Sequence, residues 1–184
     1  MLDRAKLEAQ LMQLPLYQYA FLKPEELPFS SRLQTVCREN CPMYGKSWSC
    51  PPAVGTVDAC RARCLAYPEA LLVVTVQEVT DSANLAAGLA TKPFHNRQVQ
   101  AVRQLLQDAG QRTLCLSGDA CARCDVCAYP APCRLPAQQT PCLEGYGVVV
   151  SALAERSGIP FPPEPGLIFW YAVILFGPED AKKN

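Results

Sequence analysis

Apolar positions along the chain fall into a few separated runs, and their periods differ. Residues 70–76 (ALLVVTV) form a continuous apolar, β-branched run, the pattern of a strand buried on both faces. Residues 96–109 place Val99, Val102, Leu105, Leu106 and Ala109 at helical spacing, and Gly110 supplies the stop. Residues 113–116 read as a second short strand. It runs through Ser117-Gly118-Asp119 into a cysteine-rich stretch. Thr140-Pro141 predicts a helix start, a hydroxyl cap followed by proline in the first turn. That helix continues through Tyr146, Val149, Val150 and Leu153 to Gly158. A proline-rich turn at 159–165 leads to a final strand at 167–176 (LIFWYAVILF). At the N-terminus, Leu7, Leu11 and Leu14 share one helical face, which predicts an amphipathic helix packed on the body.

Alternating strands and helices predict an α/β (or α+β) fold: a small sheet with flanking helices and two irregular cysteine-rich metal-binding lobes. The length of 184 residues suits a single domain over 1–184. The ten-residue run at 167–176 is half of the roughly 20 residues that span a bilayer, so no membrane segment is expected.

Charge narrows the function. With 17 basic and 17 acidic residues the net charge is zero, which argues against general nucleic-acid binding. An apolar fraction of 49% argues against disorder. The unusual figure is 11 cysteines against one histidine. Sites that need two imidazoles are excluded, and the chemistry must be that of thiols. Residues 1–14 carry Asp3, Arg4, Lys6 and Glu8, so no secretory signal is read there. An odd cysteine count also fits poorly with a fully bridged framework. Together these predict a cytoplasmic protein with reduced or metal-bound cysteines; a secreted fragment without its signal is the alternative.

The cysteines form two groups, five at 37–64 and five at 121–142, with Cys115 between them. In the second group Cys121, Cys124 and Cys127 form C-x2-C-x2-C, and Cys133 follows. Two overlapping C-x2-C steps put three thiolates on one tight loop, which suits three corners of a [4Fe–4S] cluster. Zinc more often pairs one C-x2-C knuckle with a distant second pair, and remains the alternative. Cys133 is followed by Arg134, with the proline only at Pro136, a departure from ferredoxin spacing that touches the fourth ligand most. Arg134 is either a counter-charge to a cluster or an ordinary surface residue.

In the first group Cys37, Cys41 and Cys50 have spacing C-x3-C-x8-C, with proline after two of them. Tyr44 and Trp48 supply either an aromatic cover or core anchors of an irregular lobe. Cys60 and Cys64 lie four apart on a helix starting at the Thr56 cap, and are either further ligands or small core hydrophobes. Cys115 is read as core. Cys142, at a predicted helix start, is read as a non-ligand, the alternative being a ligand or reactive thiol whose pKa the helix N-terminus lowers. Glu144 is read in the first helical turn, meeting the helix dipole or lying near a metal site. His95 is read at the start of a helix with a surface or capping role. Gly145-Tyr146-Gly147 does not make a phosphate loop.

The phrases Cys41-Pro-Met-Tyr-Gly-Lys-Ser-Trp-Ser-Cys50-Pro-Pro and Cys121-x2-Cys124-x2-Cys127-Ala-Tyr-Pro-Ala-Pro-Cys133-Arg-Leu-Pro, then Glu144-Gly-Tyr-Gly, resemble an uncharacterised family of predicted metal-binding proteins. That family is a domain of unknown function common in anaerobic bacteria and archaea. The resemblance runs from about Cys37 to Phe176. It implies metal or iron–sulfur binding and brings no established reaction. Cys142 stands where the family tends to have serine, and residues 81–92 are smaller than in relatives.

The expected function is an iron–sulfur protein with one or two [4Fe–4S] clusters, in electron transfer or redox chemistry of an anaerobe. Cys121, Cys124, Cys127 and Cys133 would hold one cluster. Cys37, Cys41 and Cys50 would hold another, with a fourth ligand from Cys60, Cys64 or a non-protein group. An open iron there would make the protein an enzyme. A redox protein partner is expected, with no nucleic acid and no membrane. The alternatives are a structural zinc module that binds a partner, and a thiol-based protein that delivers a cluster or metal.

Overall fold

The computed structural model describes residues 2–159, 161 and 164–179. Four strands form one antiparallel sheet: β1 (Gln18–Leu22), β2 (Glu69–Glu78), β3 (Gln111–Ser117) and β4 (Leu167–Pro178), in the order β1-β2-β4-β3. Five helices accompany it: α1 (Arg4–Leu11), α2 (Arg32–Asn40), α3 (Val57–Leu65), α4 (Leu85–Asp108) and α5 (Val150–Arg156). The fold is therefore α+β, the second of the two classes expected from the sequence.

The two apolar runs become the central strands, β2 and β4, paired over ten residues from Glu69↔Phe176 to Glu78↔Leu167. Alternation decides which core each side chain enters. Leu72, Val74, Tyr171, Val173 and Leu175 face a core shared with α3, α5 and the segment 143–148. Leu71, Val73, Ala172, Ile174 and Phe176 face a second core, covered by Leu7 and Leu11 of α1 and by Val99, Val102 and Leu106 of α4. A side chain such as Leu106, with no solvent exposure, contributes about 2 kcal/mol of burial.

Two elements depart from the sequence expectations. The helix predicted from residue 96 starts at Leu85, because the Asn84 side chain accepts hydrogen bonds from the Ala86 and Ala87 amides. The alanine-rich first turns of α4 favour helix strongly enough to carry it through Pro93. His95 consequently lies inside the helix, buried, and not at a surface cap. The helix predicted over 140–158 is confined to α5. Residues ahead of it make a parallel bridge, Ser117↔Cys142, and then turns. The reason lies at Gly147, whose φ of +88° and position 2.6 Å from the Val57 side chain at a would-be Cβ admit no other residue. Glu144 thus sits in a turn and meets no helix dipole. Two elements had no sequence signal: edge strand β1, half-buried throughout, and α2, which has no buried residue. Of the proline-rich turn at 159–165, Pro160, Pro162 and Pro163 lie outside the described residues.

Candidate metal centre

Cysteines from both groups, Cys60 and Cys64 excepted, gather at the end of the sheet where β3 finishes. Three segments are bound together there by main-chain hydrogen bonds. The Cys142 amide donates to the Ser49 carbonyl at 2.9 Å, the Ser117 amide to the Pro141 carbonyl at 3.0 Å, and the Leu143 amide to the Ser117 carbonyl at 2.9 Å. Ser49 also reaches the other group, since its hydroxyl accepts a hydrogen bond from the Cys121 amide at 2.8 Å. One buried serine therefore links the two groups, its hydroxyl 3.6 Å from the Cys50 sulfur and bonded to the Cys121 amide.

The first group surrounds a cavity of about 410 Å³. Cys37 and Cys41 come from the C-terminal end of α2, which Gln34 anchors by donating to the Gly55 and Gly145 carbonyls at 2.8 and 2.9 Å. Cys50 projects from the following loop and Cys142 from the bridge segment, and all four thiols line the cavity. The exposed side chains Val36, Leu85 and Leu89 form part of its wall, so its approaches are apolar. Lys92 is buried behind it, donating to Asp119 at 2.8 Å and to the Ala120 carbonyl.

Electrostatics differ among these thiols. The hydrogen bond from Cys142 lowers Cys50 to about 7 against the opposing effect of burial. The same contact, then burial and the Glu144 carboxylate, push Cys142 well up. Burial, followed by the neighbouring Cys41 and Cys50, raises Cys37 to about 11. Of the Cys50–Cys142 pair, Cys50 is the one that ionises first.

Cys60 and Cys64 do not reach the cavity. Both are fully buried in the core under the sheet, and the Cys60 thiol donates to the Val54 carbonyl at 3.4 Å. Burial raises Cys64 to about 12, and Cys115, buried on the other face, likewise.

The second group is a different kind of structure. Cys121, Cys124, Cys127 and Cys133 line one narrow cavity of about 20 Å³, together with Ser47, Trp48 and Ser49. Among the described residues, no hydrogen bond between backbone groups joins any of residues 119–134 to the rest of the chain or to one another. Side chains hold the loop instead. Trp48 donates its indole N–H to the Ala131 carbonyl at 2.8 Å, and Arg134 donates to the Val126 carbonyl. Cys127 is half-buried; although burial raises it, hydrogen bonds from the Tyr129 and Trp48 backbones and from Ser47, with Arg134 nearby, leave it lowered. Arg134 is thus both a loop brace and a nearby positive charge.

Among the described residues, no three histidine, cysteine, aspartate or glutamate side chains converge closely enough to hold a single metal ion as they stand. The donors at both places are nonetheless thiols, gathered around a space and not around a point. Such a donor set suits soft metals, zinc or iron–sulfur clusters. His95 takes no part: its Nδ1 lies 2.9 Å from the Thr75 hydroxyl and its ring stacks on Trp170 at 6.2 Å. Cys142, set outside the ligands from the sequence, lines the cavity of the first group because the segment expected to be a helix forms a bridge and turns instead.

An antiparallel α+β frame with two thiol-lined cavities at one end defines a cysteine-rich protein of the metal-binding class. The chain belongs to the family described as "predicted metal-binding protein (DUF2284)", whose pattern it matches over residues 20–176. No curated protein and no solved structure matches it significantly. Among the described residues no helix is long and apolar enough to cross a membrane.

Proposed function

We propose that this protein carries iron–sulfur clusters of the [4Fe–4S] type at the two thiol-lined cavities and serves electron transfer or redox chemistry in the cytoplasm of an anaerobe, with a redox protein as partner. The observation that carries this reading is the 119–134 loop. A stretch of sixteen residues without backbone-to-backbone hydrogen bonds, held by a few side-chain contacts and carrying four thiols around one cavity, has little structure of its own to fix its shape. Metal coordination supplies such a reason, because binding free energy to a site of this kind is also folding free energy.

When bound, a cluster would supply one-electron transfer. The chain's own residues would do the rest. Cys121, Cys124, Cys127 and Cys133 would ligate at the second site; Cys37, Cys41 and Cys50 would ligate at the first. The amides directed at Cys127 stabilise its thiolate, and Trp48 with Tyr129 shields that loop from water. The spread of the thiols around a space favours a cluster over a lone zinc ion, which needs four donors at about 2.0–2.3 Å from one point.

The test is anaerobic purification followed by iron, sulfide and zinc analysis and electron paramagnetic resonance of the reduced protein. Iron and sulfide in equal amounts, with a reduced-cluster signal, are expected. A colourless protein containing zinc and no sulfide would overturn the cluster reading in favour of a structural zinc module.

A further inference from the structure

The first site lacks a fourth ligand if it is built only from the cysteines close together in sequence. We propose that Cys142 is that ligand, so that Cys37, Cys41, Cys50 and Cys142 make one closed four-thiolate set. The proposal takes the identity of the metal from the iron–sulfur reading above, but the ligand set stands on geometry alone.

Four observations point to it. Cys142 lines the same cavity as the other three thiols. Its main chain is fixed beside the first group by the hydrogen bond from its amide to the Ser49 carbonyl, one residue from Cys50. Its side chain packs with Cys50 in a small buried cluster shared with Ala120. Finally, the Gly145 amide donates to the Cys142 sulfur at 3.4 Å. That approach is close: a Cβ on Gly145 would lie 3.0 Å from Pro51 and 3.3 Å from the Cys142 Cβ. Amide donors aimed at sulfur are the means by which proteins stabilise thiolate ligands and adjust cluster potentials.

The competing candidates fail on position. Cys60 and Cys64 face the core beneath the sheet and line neither cavity. Cys115 lies on the opposite face of the sheet.

The chemical consequence concerns the kind of work the site does. A set with three thiolates leaves one metal position open to a substrate, whereas four thiolates leave none. With Cys142 in place, the first site is one that passes electrons and binds no substrate on its metal. The surrounding cavity is then filled by the cluster itself.

The experiment compares the wild type with Cys142→Ala, Cys60→Ala and Cys64→Ala, each purified anaerobically and reconstituted with iron and sulfide. The wild type should hold about eight irons per chain, two clusters of four. C142A should lose between one and all four irons of the first site, with the second site's signal intact as the internal control for folding. C60A and C64A should match the wild type in iron. Added cyanide should leave the wild-type resonance unchanged and alter that of any three-thiolate cluster remaining in C142A. Wild-type iron and spectra in C142A would overturn the proposal, as would loss of iron in C60A or C64A with none in C142A. If the wild type holds zinc and no iron, the cluster reading fails by itself, and zinc per chain in the same variants still decides Cys142. Should C142A not accumulate, alkylation of the wild type provides the answer. Cys142 should be labelled only after chelation while Cys115 stays protected, and a Cys142 labelled equally before chelation would overturn the assignment.

Discussion

The Trp48 ring meets the Tyr129 ring edge-on, with centroids 5.0 Å apart, although the two residues belong to different cysteine groups. The first group thus provides the lid of the second. Replacing Trp48 by Ala removes this aromatic pair, worth about 0.5–1.5 kcal/mol, and the hydrogen bond to Ala131, worth about 1 kcal/mol. Metal should leave the second site roughly ten- to fifty-fold faster under a chelator, a range set by the conversion of about 1.4 kcal/mol per decade. Trp48→Phe should fall between the two. Release rates followed by absorbance check this, and equal rates in all three proteins would refute the lid.

Ser49 supports a second expectation. It is fully buried, its hydroxyl lies 2.8 Å from that of Ser47, and it accepts from the Cys121 amide. Ser49→Ala would leave that amide without a partner, at a cost of about 1–3 kcal/mol. The variant should melt several degrees lower and lose metal from the second site first. Differential scanning calorimetry with metal analysis along the melt reads both effects.

His95 sets a pH dependence. Burial, then the charge of Lys92, lower it to about 3 in the folded protein, against about 6.5 for an unfolded histidine. Between those values only the unfolded chain takes up the extra proton. Stability therefore falls as pH drops from about 6.5 toward 3, by up to about 1.4 kcal/mol per pH unit. In His95→Gln this contribution should vanish. Guanidinium denaturation of both proteins at several pH values between 4 and 7 gives the difference directly, free of the carboxylates that both share.

Gly147→Ala should be among the most damaging single changes outside the thiols. Its backbone is in the left-handed region, and the added methyl would meet Val57 side-chain carbons at 2.6 and 2.8 Å. A loss of about 2 kcal/mol or more is expected from strain and overpacking together. The double variant with Val57→Ala should recover part of it, as chemical denaturation would show.

The parts of this fold legible in the sequence are those governed by a period. The runs at 70–76 and 167–176 became β2 and β4 because burial on both faces leaves no polar position to confuse the pattern. Thr56 capped α3 as its hydroxyl implied, accepting from the Ala59 amide at 3.2 Å. What stayed hidden has no period. Edge strand β1 is half-buried at every position, and α2 is held by Gln34 hydrogen bonds and not by an apolar face. The Thr140-Pro141 signal misled because Gly147, five residues beyond Cys142, ends any helix there. At the candidate site, the C-x2-C-x2-C run announced its own loop, but the meeting of Cys142 with Cys50 across 92 positions depends on sheet topology, which spacing along the chain does not encode.

The 119–134 loop, free of main-chain ladders, gives the chain two unequal tolerances to a change in length. One residue inserted between Val173 and Ile174 of β4 would turn every later side chain of that strand to the opposite face, exchanging two cores at once. One residue inserted between Tyr129 and Cys133 displaces no register at all, and only the reach of a single thiol must adjust. Length variation compatible with folding is therefore concentrated between the cysteines, where no strand register constrains the spacing.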